Sequence, residues 1–106
     1  MGDGGLTGRE ECSVAIQVLP SMEEGPMLAA IDKVIAHIRS TGMRSFVGPF
    51  ETTVEGGFEE CMGLIGECLR ICAREGAGHV MSYVKIAYGP SGGVMGIDEK
   101  VGKHQG

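Results

Sequence analysis

RSFVGPFETTVEGGF, residues 44–58, holds two short β-prone runs and the start of a helix. Arg44–Phe50 reads as a strand broken at Gly48–Pro49, and Glu51–Glu55 as a second strand rich in β-branched residues. Together they form a hairpin or a bulged pair. Gly56–Gly57 interrupts the pattern, after which Phe58, Cys61, Ile65, Cys68 and Cys72 recur at helical spacing to about Arg74. Gly76–Gly78 closes that helix.

Working outward, Cys12–Leu19 (CSVAIQVL) alternates with period two. Val14, Ile16 and Val18 lie on one face and Ser13, Ala15 and Gln17 on the other, with Pro20 as the stop. Ser21–Glu24 has the form of a capping box, and Pro26 suits a first helical turn. Met27, Leu28, Ile31, Val34, Ile35 and Ile38 then mark an amphipathic helix, with Gly42 as its C-cap. Downstream, His79–Tyr88 reads as a strand with Val80, Ser82, Val84 and Ile86 on one face and Met81, Tyr83, Lys85 and Ala87 on the other. Gly89–Gly93 is a loop, and Ile97–Lys103 a short closing helix.

The order is βαββαβ, which predicts an α+β, ferredoxin-like fold: an antiparallel four-stranded sheet with two helices on one face. Right-handed crossovers put the first and third strands at the centre. The face away from the helices carries Ala15, Gln17, Leu19, Tyr83 and Lys85. That mixture is apolar enough to predict self-association through it, with a ligand pocket at or near the seam.

The chain has 106 residues, 9 basic and 14 acidic, for a formal charge of −5. That length predicts one domain, assigned to residues 11–106, behind a flexible lead over residues 1–10. An acidic balance with no Trp argues against a nucleic-acid surface, which needs a cationic footprint. No run of 18 uncharged apolar residues is present, so no membrane span is predicted. Residues 1–10 lack the apolar core of a signal peptide, and Leu6 stands where a myristoylation motif needs Ser or Thr. The expected address is cytoplasmic.

The sequence nominates no catalytic residue, metal ligand or cofactor. Cys12, Cys61, Cys68 and Cys72 contain no CxxC, and three of them share a helical stripe with apolar residues, so they read as small, reduced core residues. Gly96, Gly102 and Lys103 have the wrong spacing for a phosphate-cradling loop, and His104 follows the lysine. His37, His79 and His104 form no HxH or HxxxH pair.

Recognition residues are easier to name. Gln17 projects from a central strand, and an amide there needs hydrogen-bond partners, from a ligand or from a second copy of the chain. Tyr83 and Lys85 share the neighbouring strand, also read as central, where they suit either a ligand or an interface. The run Gly48–Gly56 sets hydroxyls, carboxylates and an aromatic beside a permissive turn, which can take a small heterocycle. By composition alone, an ordinary hairpin is the simpler reading of that run.

SVAIQVLP (13–20), IDKVIAHIRSTGM (31–43), VGPFETTVEG (47–56) and SYVKIAYGPSGGVMGIDEKV (82–101) together resemble the small thiamine-binding protein family, YkoF-like and thiamine- or hydroxymethylpyrimidine-binding. The resemblance spans almost everything after residue 12. TTVEG followed by a helix is its most distinctive piece, and IDEKV the next. It implies a ferredoxin-like fold, sheet-packed dimers or tetramers, and non-catalytic binding of thiamine or its hydroxymethylpyrimidine moiety. It also implies that Gln17, Thr52 and Thr53 lie near the ligand, with Phe50 and Glu51 as variable flanking positions. Ala15 departs from relatives with a hydroxyl there, and Lys85 from relatives with an acid, which favours the neutral pyrimidine over cationic thiamine. The expected ligand-binding set is therefore Gln17, Phe50, Glu51, Thr52, Thr53, Tyr83 and Lys85. The alternative is a structural or regulatory oligomer with no small-molecule ligand.

Overall fold

The computed structural model describes residues 10–94, 96 and 97. Six elements follow in order: β1 (Glu11–Pro20), α1 (Glu24–Ser40), β2 (Arg44–Val47), β3 (Thr52–Gly56), α2 (Phe58–Arg74) and β4 (Val80–Gly89). All neighbouring strands are antiparallel and their order is β2-β3-β1-β4. This is the α+β ferredoxin-like arrangement. β1 and β3 are central as expected, whereas β4, which carries Tyr83 and Lys85, is an edge strand rather than a central one. The helix after β3 crosses the sheet and returns the chain on the far side of β1, which leaves β4 with one neighbour. The expected closing helix over 97–103 and the N-terminal lead fall, apart from Ile97 and Glu10, outside the described residues.

The core lies between the helices and the even-numbered face of β1. Cys12, Val14 and Ile16 pack there with Val54 of β3, Val34 and Ile38 of α1, and Cys61, Leu64, Cys68 and Ile71 of α2. The spacing of the α2 residues keeps them on one face of a 3.6-residue period. All four thiols belong to this core and are fully buried and unpaired. Cys61 Sγ lies 3.8 Å from the Cys12 carbonyl as a weak donor. Small side chains at these positions let α2 sit close on β1.

The start of α1 differs from its expected form. The N-cap is Glu23, without a side-chain cap, so Ser21 and Glu24 make no capping box. Ser21 is instead tied to the β1–β4 ladder, its N–H donating to the His79 carbonyl at 2.9 Å, which holds it away from the helix. Leu28 is more than half exposed rather than part of the buried stripe. It lies six residues before buried Val34, which turns it about 120° away at 3.6 residues per turn. At the C-terminus the cap residue is Thr41, one position before the expected Gly42. Gly42 takes a positive φ of 77°, and the Thr41 hydroxyl donates to the Ile38 carbonyl at 2.6 Å.

After β4 the chain turns back over the open, odd-numbered face. A Cβ at Gly89 would lie 2.5 Å from the Gly92 carbonyl oxygen, so the turn needs glycine there. Two carboxylates then hold the returning backbone. Glu11 Oε1 accepts from the N–H groups of Gly93 and Val94 at 2.7 and 3.1 Å. Glu55 Oε2 accepts from those of Gly96 and Ile97 at 2.7 and 2.9 Å. Beneath this strap Glu55 and Ser13 are buried, and Ile97 of the strap is itself buried. One end of the open face is therefore covered by the chain itself, and the other end remains free.

Candidate functional site

The register leaves a notch in the sheet. β3 pairs with β1 only from Cys12 to Ile16, so Gln17–Leu19 run on with no β3 residue opposite them. The β2–β3 turn, Gly48–Glu51, closes with a 2.9 Å bond from the Gly48 N–H to the Glu51 carbonyl. α1 packs mainly against α2 and β2 and so stands off from the end of β1. The space between is a pocket of about 290 Å³. Its walls are Ile16, Val18, Leu19, Met27, Ile31, Val34, Ile35, Ile38 and Val47, with Gln17, Glu51 and Thr52 as its polar lining residues. A mostly apolar cleft with a few convergent polar groups is the usual form of a small-molecule site.

The same turn also rims a second hollow, of about 340 Å³, on the open face, lined by Phe46, Phe50, Glu51, Thr53 and Lys85 among others. Here Lys85 Nζ stands 3.2 Å from Glu51 Oε1, so the lysine charge is met by a carboxylate within the chain. A third and larger hollow, about 440 Å³, lies between the helices and is lined by His37, Thr41, Met43, Glu60, Leu64 and Glu67. Glu67 is held below the usual carboxylate range by its hydrogen bond to Arg74.

The seven expected ligand residues are thus split. Gln17, Phe50, Glu51 and Thr52 line the pocket under α1, and Phe50, Glu51, Thr53 and Lys85 line the open-face hollow. Thr52 and Thr53 are adjacent in a strand and so face opposite sides of the sheet. Thr52 pairs with Ile16 on the core side and is buried, while Thr53 pairs with Ala15 on the open side. Tyr83 lines neither space and is 61% exposed on the open face. Sequence reasoning missed the α1 wall of Met27, Ile31 and Ile35, because a core stripe and a pocket wall have the same periodicity.

The thiols lie in the core, away from both spaces. Burial pushes Cys61 up to about 12 and Cys68 up to about 11, and it raises Cys12 and Cys72 as well. A reactive cysteine needs the opposite shift, toward the thiolate. Among the described residues no group of three or more His, Cys, Asp and Glu side chains is placed to hold a metal ion, and no helix is long and apolar enough to cross a membrane.

Comparison with known proteins finds a match over residues 14–105 to the family described as thiamine-binding protein. A UPF0045 protein of Clostridium perfringens is 46% identical over 96 residues, spanning 91% of this chain and 99% of that one. The crystal structure of a candidate thiamine biosynthesis or salvage protein from Thermotoga maritima superposes with a TM-score of 0.76 at 38% identity, over 89% of this chain and 98% of the other. A domain of unknown function, DUF77, from Bacillus cereus gives a TM-score of 0.82 at 32% identity, over 92% of this chain and 93% of the other.

Proposed function

The chain belongs to the thiamine-binding protein family, and on that premise we propose that it binds thiamine or its hydroxymethylpyrimidine moiety, without chemistry, in the pocket under α1. The observation that carries this reading is the notch itself. Beyond Ile16 the backbone of β1 has no β3 partner, so the strand edge at Gln17–Leu19 faces the pocket between apolar walls. An aminopyrimidine is flat, with a donor and ring acceptors along its edge, and matches the free strand edge at Gln17–Leu19 flanked by Thr52 and Glu51. About 290 Å³ is near the lower end for ligand pockets and suits the pyrimidine half better than a larger ligand. Lys85 is paired with Glu51 and lines the open-face hollow rather than this pocket, so its charge does not oppose cationic thiamine there.

The reading includes a cytoplasmic homo-oligomer of two or four copies. Leu19, Phe46, Met81 and Tyr83 are exposed on the free end of the open face, which supports contact with another copy there. The same surface favours the second reading, an oligomer with no small-molecule ligand.

Thermal unfolding with thiamine and, separately, with hydroxymethylpyrimidine tests the ligand. A binder gains RT ln(1 + [L]/Kd), about 2.7 kcal/mol at a hundredfold excess over Kd, so the midpoint rises with concentration. Flat curves for both, on a folded oligomer, would leave the second reading. Thr52→Val and Thr53→Val then locate the site. Loss of one hydrogen bond is worth roughly 0.5–1.5 kcal/mol, so Thr52→Val should weaken binding several-fold and Thr53→Val should leave it unchanged. The reverse result would move the site to the open-face hollow.

A further inference from the structure

The pocket under α1 has a single charged residue in its lining, Glu51. The open-face hollow has two, Lys85 and again Glu51. This carboxylate therefore stands on the partition between the two spaces, in the turn that rims both. Its backbone is fixed, because the Glu51 carbonyl accepts from the Gly48 N–H at 2.9 Å. Its side chain is not enclosed. It is 36% exposed, and Phe50 beside it at the tip of the turn is 79% exposed. An anchored backbone with a lightly packed side chain lets the carboxylate change sides by rotation about its own side-chain bonds.

The carboxylate is engaged on the open-face side, where Oε1 lies 3.2 Å from Lys85 Nζ. Lys85 of β4 is in register with Ala15 of β1, and Ala15 with Thr53 of β3. The small side chain at position 15 leaves room for the lysine arm to cross β1 toward the turn. Lys85 itself is absent from the lining of the pocket under α1, so whatever it does there it does through Glu51.

An ion pair this exposed is weak and readily exchanged. The Lys85 side chain is 75% exposed, so its ammonium returns to water at little cost. A cation between the apolar walls of the pocket is screened less and gains more from a carboxylate than the lysine does. A neutral ligand makes a smaller demand. A carboxylate has two oxygens, so Oε2 can accept from an amino group while Oε1 stays with Lys85. Thiamine and hydroxymethylpyrimidine share the aminopyrimidine and differ by the thiazolium cation, so the pull on the whole carboxylate separates them.

We propose that Glu51 is a shared carboxylate, held by Lys85 across the open face when the pocket is empty and surrendered to the positive charge of a bound ligand. Lys85 is then a positioning residue that sets the preference between cationic and neutral ligands without touching either. This deepens the pocket reading above and rests on it.

Titration calorimetry with thiamine and, separately, with hydroxymethylpyrimidine tests it. The readout is the ratio of the two affinities, in which any general loosening of the pocket cancels. Lys85→Ala frees the carboxylate and should raise the thiamine-to-pyrimidine ratio about two- to fivefold, the equivalent of one exposed ion pair. Lys85→Arg should keep the wild-type ratio. Glu51→Gln should lower it about tenfold, the difference between a charged and a neutral acceptor. Adding K85A to E51Q should then change it no further. A ratio unmoved by K85A overturns the proposal. So does a K85A effect that persists beside E51Q, because the lysine would then act by its own charge. Binding of the pyrimidine but of no thiamine, in K85A as in the wild type, also overturns it and leaves the pocket reading standing. Binding of neither ligand by any of these proteins defeats the pocket reading and this proposal with it.

Discussion

Replacing Glu55 with alanine should release the strap that crosses the open face. The carboxylate is buried at 6% exposure, and its Oε2 accepts from the N–H groups of Gly96 and Ile97 at 2.7 and 2.9 Å. Hydrogen bonds to a charged group contribute about 1.5–3 kcal/mol each, so leaving the segment docked without the acceptor would cost about 3–6 kcal/mol. The segment has an escape, which is to lift off. That exposes Ile97, at about 1.5–3 kcal/mol for a large apolar side chain, but it regains about 1–2 kcal/mol of conformational entropy for each residue freed. Undocking is the cheaper course and sets the observed loss at about 2 kcal/mol. That corresponds to a fall of roughly 8–16 °C in midpoint for a domain of this size. Hydrogen exchange supplies the local readout. The Gly96 and Ile97 amides should exchange about thirtyfold faster, at 1.4 kcal/mol per factor of ten. Glu55→Gln keeps an acceptor but loses the charge, which about halves the bond strength, so it should fall midway. The Gly93 and Val94 amides, held by Glu11, serve as an internal reference. If Glu55→Ala left Gly96 and Ile97 fully protected and the midpoint unmoved, the carboxylate would not be what holds the strap.

Two further tests probe backbone and core. Gly89→Ala should destabilise by about 1–3 kcal/mol, as overpacking does, because the new Cβ would lie 2.5 Å from the Gly92 carbonyl oxygen. Gly63→Ala, in the middle of α2 with nothing within 4 Å of its Cβ, should instead stabilise by about 0.5–1 kcal/mol. Melting curves of the two variants check both signs. The buried thiols give a pH dependence. They ionise near 9.0 when unfolded, but Cys61 only at about 12 and Cys68 only at about 11 when folded. The unfolded chain therefore loses protons first, and their contribution is intact below pH 9 and declines as pH rises through 11–12. The urea midpoint should fall between pH 8 and pH 10.5. Ellman's reagent should find no reactive thiol in the native protein at pH 8 and four in denaturant. A midpoint that rises with pH, or a thiol that reacts in the native state, would contradict the packing.

The element order was readable because each boundary has its own local cause. Gly42, Pro49, Gly56–Gly57 and Gly76 punctuate the chain, and the helical stripe of α2 is unambiguous from Phe58 to Arg74. The resemblance over TTVEG and IDEKV carried the family. What local pattern could not supply was which edges stay unpaired and what covers each face. Glu55 reads as an ordinary strand carboxylate until the chain returns over it from residue 96. The adjacent threonines read as one ligand pair, yet strand alternation sends Thr52 to the core side and Thr53 to the open side. Ser21 and Glu24 had the spacing of a cap, but the β1–β4 ladder claimed Ser21 first.

The strand at the heart of the sheet is also the first to be made. β1 is flanked by β3 and β4, which begin at residues 52 and 80, and Cys12 finds its β4 partner only at Tyr88. Synthesis at about 5–20 residues per second separates Pro20 from Gly89 by roughly 3–14 s. Through that interval Val14, Ile16 and Val18 lack their final neighbours, and α1 has little to dock on. The sheet cannot close until Gly89 has left the ribosome exit tunnel. Closure of the sheet around its earliest strand is thus set by the arrival of its latest.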